Sequence, residues 1–212
     1  MTLTVEDISL EDPARDLAYD EEILARAERG EGGETLRFWE LSAYAVVLGR
    51  TCSLEANVLE RETSRDRIPV LRRSSGGGTV LQGPGCLNFS LVLKKDRDPA
   101  LARIHDSYRF ILDKVLSAVR GLGVRAEFRP VCDLVLVPGE KKFSGNAQRR
   151  GKTFFLHHGT LLYAFDLERI SRYLKMPPQM PDYRKSRSHQ DFISNIPVSP
   201  QEIRQALART FA

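Results

Sequence analysis

The spacing of β-patterned segments constrains this chain most. Between Val124 and Phe165 short runs of β-branched and aromatic residues follow one another at hairpin distance, as Val124–Phe128, Asp133–Val137, Lys142–Ala147, Thr153–His158 and Thr160–Phe165. Pro138-Gly139 and Arg150-Gly151 supply the turns. Connections this short join antiparallel neighbours and leave no room for crossover helices. Earlier strands are expected at Thr35–Leu41, Tyr44–Leu48, Ile68–Leu71 and Leu87–Leu93. Strands outnumber helices, so the fold class is α+β, a mixed, largely antiparallel sheet flanked by helices.

The helices carry their own signals. Asp12 caps and Pro13 opens a first helix running to about Arg29. Ser53 can cap a second, from Leu54 to about Arg65. From Pro99 the longest helix presents Ile104, Tyr108, Ile111, Val115, Val119 and Leu122 at three- and four-residue steps, ending at Gly121 and Gly123. A short helix is expected near Leu167–Leu174, then a long loop over Met176–Asn195. Ser199-Pro200-Gln201-Glu202 is a capping box that starts a terminal helix.

Of the 212 residues 42% are hydrophobic, enough for one core, and the expected organisation is a single domain over 1–212. No apolar run of about 18 residues exists, and the N-terminus lacks a signal-peptide pattern, so the expected location is cytoplasmic, with no membrane contact. The net charge of +4 is interspersed without an aromatic-basic stripe, which argues against nucleic acid. Two basic clusters, Arg149–Lys152 and Arg184–Arg187, fit solvated turns or an anion-facing role equally well. Cys52, Cys86 and Cys132 are odd in number and widely spaced, which argues against a disulfide framework and a zinc site.

Three segments carry chemistry. In Arg72-Arg73-Ser74-Ser75-Gly76-Gly77-Gly78-Thr79-Val80, the glycines let backbone approach a ligand and point N–H groups at an anion, and the arginines can pair with phosphate or carboxylate. Composition alone leaves a plain glycine-rich turn as open as an anion cradle. No Gly-Lys-Ser/Thr follows, so this is not a P-loop, and the dinucleotide G-x-G-x-x-G spacing is absent. Lys141-Lys142-Phe143-Ser144-Gly145-Asn146-Ala147 could place one ammonium beside a developing phosphate charge, or be an exposed lysine pair. In His157-His158-Gly159-Thr160, adjacent histidines on a strand face opposite sides, so one of them at least is structural.

In this order, RRSSGGGTV, KKFSGNA and HHGTLL resemble the lipoate–protein ligase A family, within the wider group of biotin and lipoate ligases and octanoyltransferases. DLAYDEEIL at Asp16–Leu24, VVLGR at Val46–Arg50 and ISNI at Ile193–Ile196 extend the likeness over nearly the whole chain. The resemblance implies the class II biotin/lipoate ligase-like catalytic domain, without the C-terminal accessory domain of longer relatives. It implies ATP, Mg²⁺ and lipoate, with lipoyl-adenylate as intermediate. The acceptor would be a lysine of a lipoyl domain, as in a 2-oxoacid dehydrogenase E2, or of a glycine cleavage H protein. Lys142 then matches the catalytic lysine. Arg72, Arg73, Ser75, Gly76, Gly77, Gly78, Thr79, Val80 and Leu81 match the lipoyl- and nucleotide-wrapping loop. Asp133 matches an aspartate near the nucleotide and Mg²⁺, and Ser144, Gly145, Ala147, His158 and Gly159 complete the expected site.

The chain departs from many relatives at Gln82-Gly83, Gly85-Cys86 and Cys132. Two rival readings follow. An octanoyltransferase would carry the acyl group from acyl carrier protein on a cysteine, with Cys132 the best candidate. A silent lipoate-binding module would retain the pocket without the chemistry. A separate accessory subunit is a further possibility, although the expectation is that the Met176–Asn195 loop closes the site by itself.

Overall fold

The computed structural model describes residues 3–212. In chain order the elements are β1 (Thr4–Asp7), α1 (Pro13–Arg29), β2 (Thr35–Trp39), β3 (Ala45–Leu48), α2 (Leu54–Asn57), α3 (Glu60–Arg65), β4 (Val70–Arg72), β5 (Val80–Gln82), β6 (Cys86–Lys94), α4 (Ile104–Gly121), β7 (Ala126–Arg129), β8 (Asp133–Leu136), β9 (Lys141–Arg150), β10 (Phe154–Leu162), α5 (Glu168–Tyr173), α6 (His189–Phe192) and α7 (Pro200–Phe211). Seven strands form one sheet in the order β1-β2-β6-β10-β9-β8-β7, and β4-β3-β5 form a second. Pairing is antiparallel except for β1–β2 and β3–β4. This is the mixed, largely antiparallel α+β arrangement the strand spacing predicts.

Capping and burial fix the helices. Asp12 accepts from the Ala14 amide, Pro13 starts α1, and Gly30 ends it in the left-handed conformation at φ 76°. The predicted capping box of Ser199 and Glu202 is formed. The apolar stripe of α4 buries Ile111, Val115 and Val119 against Phe89, Leu91 and Phe155 of the sheet and Leu207 of α7. Truncating Ile111 to Ala there would cost about 2–5 kcal/mol. Helix α1 packs Ile23, Leu24 and Ala27 on Val92, Phe154 and Leu156. The large sheet is therefore covered on both faces, and its strands β2, β6 and β10 are buried along most of their length.

Four expectations change. The predicted helix Leu54–Arg65 is interrupted at Val58, which turns extended, is fully buried and bridges Leu174. Burying that side chain outweighs helical continuity. The two strands expected over 153–165 are one, β10, because Gly159 is paired on both sides, with Phe89 and with Asn146. The stretch after Pro99 starts as a 3-10 turn to Ala102, and the α-helix proper begins at Ile104. The expected loop 176–195 holds a 3-10 turn, Asp182–Arg184, and the single-turn α6. Strands β1 and β5 had no counterpart in the sequence pattern.

Candidate active site

Between the two sheets lies a cavity of about 790 Å³. Three walls close it: the glycine loop after β4, the facing stretches of β9 and β10, and the 175–193 segment.

The glycine loop is shaped by an arginine. Arg73 is 92% buried, and its guanidinium donates to Ser75 Oγ (3.0 Å), to the Val47 carbonyl (3.3 Å), and to the carbonyls of Gly76 (2.8 Å) and Gly78 (2.7 Å). Between those carbonyls Gly77 has φ +84°, which an L side chain avoids. Most of the Arg73 donors are thus spent on the loop itself. Arg72 is placed differently from the expectation. Its Nη1 donates to the carbonyls of Gly49 (2.9 Å), Arg50 (3.2 Å) and Cys52 (2.7 Å), and it is not part of the cavity wall. Nor is Ser75, which stands behind the wall. Gly76, Gly77, Gly78, Thr79, Val80 and Leu81 all line the cavity.

On the opposite wall Lys142 at the start of β9 reaches Asp133 at the start of β8, Nζ to Oδ1 at 2.7 Å. The other carboxylate oxygen accepts from Tyr183 Oη at 2.6 Å. Burial first, then the Asp133 charge, pushes the Tyr183 phenol far above its usual range, so it stays a donor. A side chain at Gly145 would put its Cβ 2.9 Å from Lys142 Nζ and so displace the ammonium from its place beside Asp133. Asp133 is the one carboxylate in the wall. Both its oxygens are bonded, and among the described residues no three His, Cys, Asp or Glu side chains cluster as metal ligands. A Mg²⁺ here fits only as an ion held chiefly by phosphate oxygens, with Asp133 as its single protein carboxylate.

Ser144, Gly145, Ala147, His158 and Gly159 line the cavity. The two histidines part as the strand geometry requires. His157 is fully buried between Phe89 (5.9 Å between ring centres) and Tyr108 (5.5 Å), and burial lowers its pKa to about 3. It meets Gln148 and Asn146, each at 3.2 Å, and so braces β9. His158 faces the cavity.

Sequence reasoning missed several wall residues. Asn146 and Gln148 occupy alternate positions of β9, a period visible once the strand is extended to Arg150. Leu17, inside DLAYDEEIL, and Trp39, the lone tryptophan, also line the cavity. The wall residues His189 and Phe192 come from the stretch read as a loop, where no local pattern marks them, whereas Tyr183 and Arg184 belong to the part of it whose charge suits a cover over an anionic ligand.

The thiols are all unpaired. Cys132 donates to the Asn146 carbonyl at 2.9 Å, and burial, followed by the Asp133 charge, raises its pKa. That disfavours the thiolate a thioester mechanism needs.

Taken together, a shaped glycine loop and a lysine–aspartate pair face each other across one cavity of an α+β domain. Residues 12–212 match the family model described as the lipoyl protein ligase A/B catalytic domain, and the chain belongs to that family. It is 32% identical over 164 residues to the probable lipoate-protein ligase A of Mycoplasma pneumoniae, covering 77% of this chain and 46% of that protein. The chain thus spans about half the length of the curated relatives it matches. Among solved structures it resembles a bi-partite lipoate protein ligase from Thermoplasma acidophilum, described with its E2 lipoyl domain (TM-score 0.85, 30% identity, 100% of this chain and 82% of that one). It also resembles a lipoate-protein ligase A bound with ATP (TM-score 0.82, 29% identity, 100% of this chain and 84% of that one).

Proposed function

We propose that this chain activates lipoate with ATP and transfers the lipoyl group to a lysine of an acceptor domain. The observation that carries this reading is the Lys142 ammonium, held 2.7 Å from Asp133 across the cavity from the glycine loop. The family membership and the ATP-bound neighbour support it.

In the first step a lipoate carboxylate oxygen attacks the α-phosphorus of ATP, the bond to the bridging oxygen of the β-phosphate breaks, and pyrophosphate leaves. In the second, the uncharged amine of the acceptor lysine attacks the acyl carbon, AMP leaves, and the nitrogen loses a proton as the amide forms. The mixed anhydride is already reactive, so no covalent enzyme nucleophile is needed. The protein has to hold the reactants together and meet the charge that builds on phosphate and carbonyl oxygens. Lys142 supplies the point charge. The glycine-loop amides supply further donors, with the loop kept open by Arg73. The 175–193 segment shields the anhydride from water.

The acceptor we infer is a lipoyl domain, of the E2 or glycine-cleavage H type, because the archaeal neighbour is described with an E2 lipoyl domain. The description of that neighbour as bi-partite favours a second polypeptide for full activity over closure by this segment alone. No helix among the described residues is long and apolar enough to cross a membrane. Because the reaction consumes ATP, we place it in the cytoplasm. The test is lipoate-dependent exchange of labelled pyrophosphate into ATP, run beside ATP-free transfer from octanoyl carrier protein. Exchange with lipoate supports the reading, and ATP-free transfer alone would replace it with the octanoyltransferase.

A further inference from the structure

Asp20 lies on the inward face of α1, 1% exposed, outside the cavity wall. Its Oδ1 accepts from Arg37 Nη1 at 2.8 Å and its Oδ2 from Ser90 Oγ at 2.6 Å. Arg37 is itself fully buried and is also bonded to the Asp16 carboxylate. Two buried carboxylates therefore share one guanidinium, and the surplus negative charge draws any further N–H toward it. The next polar group is His158 Nδ1, 3.8 Å from Asp20 Oδ2. That is longer than a hydrogen bond and still well within reach of the carboxylate's charge.

The far side of the same ring faces the ligand loop. His158 Nε2 is 2.6 Å from Ser75 Oγ. The Ser75 hydroxyl accepts from Arg73 Nε at 3.0 Å and still has its own proton to give; with that proton donated to Nε2, the ring proton sits on Nδ1, the nitrogen nearest the Asp20 carboxylate, whose charge favours this tautomer. Ser75 is 1% exposed and behind the wall, so its hydroxyl is no nucleophile for a ligand in the cavity. What it holds is Arg73, whose Nη2 grips the Gly76 and Gly78 carbonyls. One continuous set of contacts runs from a buried carboxylate on α1, through β10, to the backbone that wraps the cavity.

We propose that Asp20 is a positioning residue: its charge fixes the tautomer and orientation of His158, which through Ser75 and Arg73 holds the glycine loop in its ligand-receiving shape. The choice of lipoate as ligand rests on the ligase reading, whereas the tautomer does not.

Asp20→Asn removes the charge at nearly constant volume and tests this. Histidine ¹⁵N NMR of the wild type, with His158 assigned by comparison with His158→Gln, is expected to show the proton on Nδ1, moving toward Nε2 in Asp20→Asn. Lipoate affinity by calorimetry is expected to fall about three- to tenfold in Asp20→Asn and in Ser75→Ala, with no further loss in the double variant. A wild-type ring protonated on Nε2 overturns the proposal. So does unchanged affinity in folded Asp20→Asn, or losses that simply add. Should Asp20→Asn not fold, the wild-type tautomer and the Ser75→Ala affinity decide the matter. A wild-type chain that binds no lipoate would sink the ligase reading, and the tautomer would still judge the Asp20 relay.

Discussion

Lys142 works on charge more than on packing. Its ammonium is partly exposed and pairs with Asp133, which keeps a second partner in Tyr183. Lys142→Ala should therefore cost only about 1 kcal/mol of stability while removing a preorganised donor worth ~3–4 kcal/mol in the transition state. The expected result is a hundred- to thousandfold fall in lipoate-dependent pyrophosphate release at nearly unchanged Tm. Cys132 provides the contrast. With its thiol raised by burial and bonded to a carbonyl, Cys132→Ser should retain ligation, and mass spectrometry should find no acyl group on Cys132. An acyl adduct there would revive the thioester route. His157 sets a pH limit. Its folded pKa of about 3 lies below the unfolded value near 6.5, so the unfolded chain binds the extra proton between those pH values. Its contribution is complete above about pH 6.5 and is lost as pH falls toward 3, by about 1.4 kcal/mol per unit. Urea midpoints from pH 7 to 4 should drop less steeply in His157→Gln than in the wild type, and equal slopes would remove His157 as the cause.

At the scale of elements, the glycine loop is where local sequence and tertiary contact meet. Gly77 needs a positive φ, and a Cβ there would sit 3.0 Å from Arg73 Nη2. Gly77→Val should cost about 1–2 kcal/mol from the backbone conformation alone and push the guanidinium off its carbonyls. Lipoate affinity by calorimetry should fall with it, and unchanged affinity would reduce the loop to a turn. The 175–193 segment acts at the same scale. It reaches Asp133 through Tyr183, so the segment that walls the cavity also holds the carboxylate paired with Lys142.

For the whole molecule the question is what suffices for activity. The chain covers 46% of the Mycoplasma relative and all of its own length in the archaeal neighbour. Supplied with ATP, Mg²⁺, lipoate and an acceptor lipoyl domain, this chain alone is expected to modify the acceptor poorly and a second polypeptide to restore the rate. Complete modification without one, read by intact mass, would show that the 175–193 segment closes the site unaided.

Much of this was legible in the residue order. Hairpin-length spacing from Val124 onward dictated a largely antiparallel sheet, because turns that short cannot carry crossovers. Capping residues located α1 and α7, and the apolar period located α4, because these signals act within a few residues of themselves. The glycine run, Lys142 and His158 were each ambiguous alone and could be picked out only because the three segments, in this order, resemble one family. Other features depended on partners far along the chain. Val58 leaves a helix because Leu174 lies opposite it, and Arg72 turns away from the cavity because three carbonyls of the β3–α2 turn accept its guanidinium. Tyr183 reaches Asp133, 50 residues away, and Asp20 lies beneath His158 only because α1 packs across β6 and β10. A sequence fixes short-range propensity, but which buried polar groups find each other is decided by burial. An unpaired charge or carbonyl is costly only once water has been excluded.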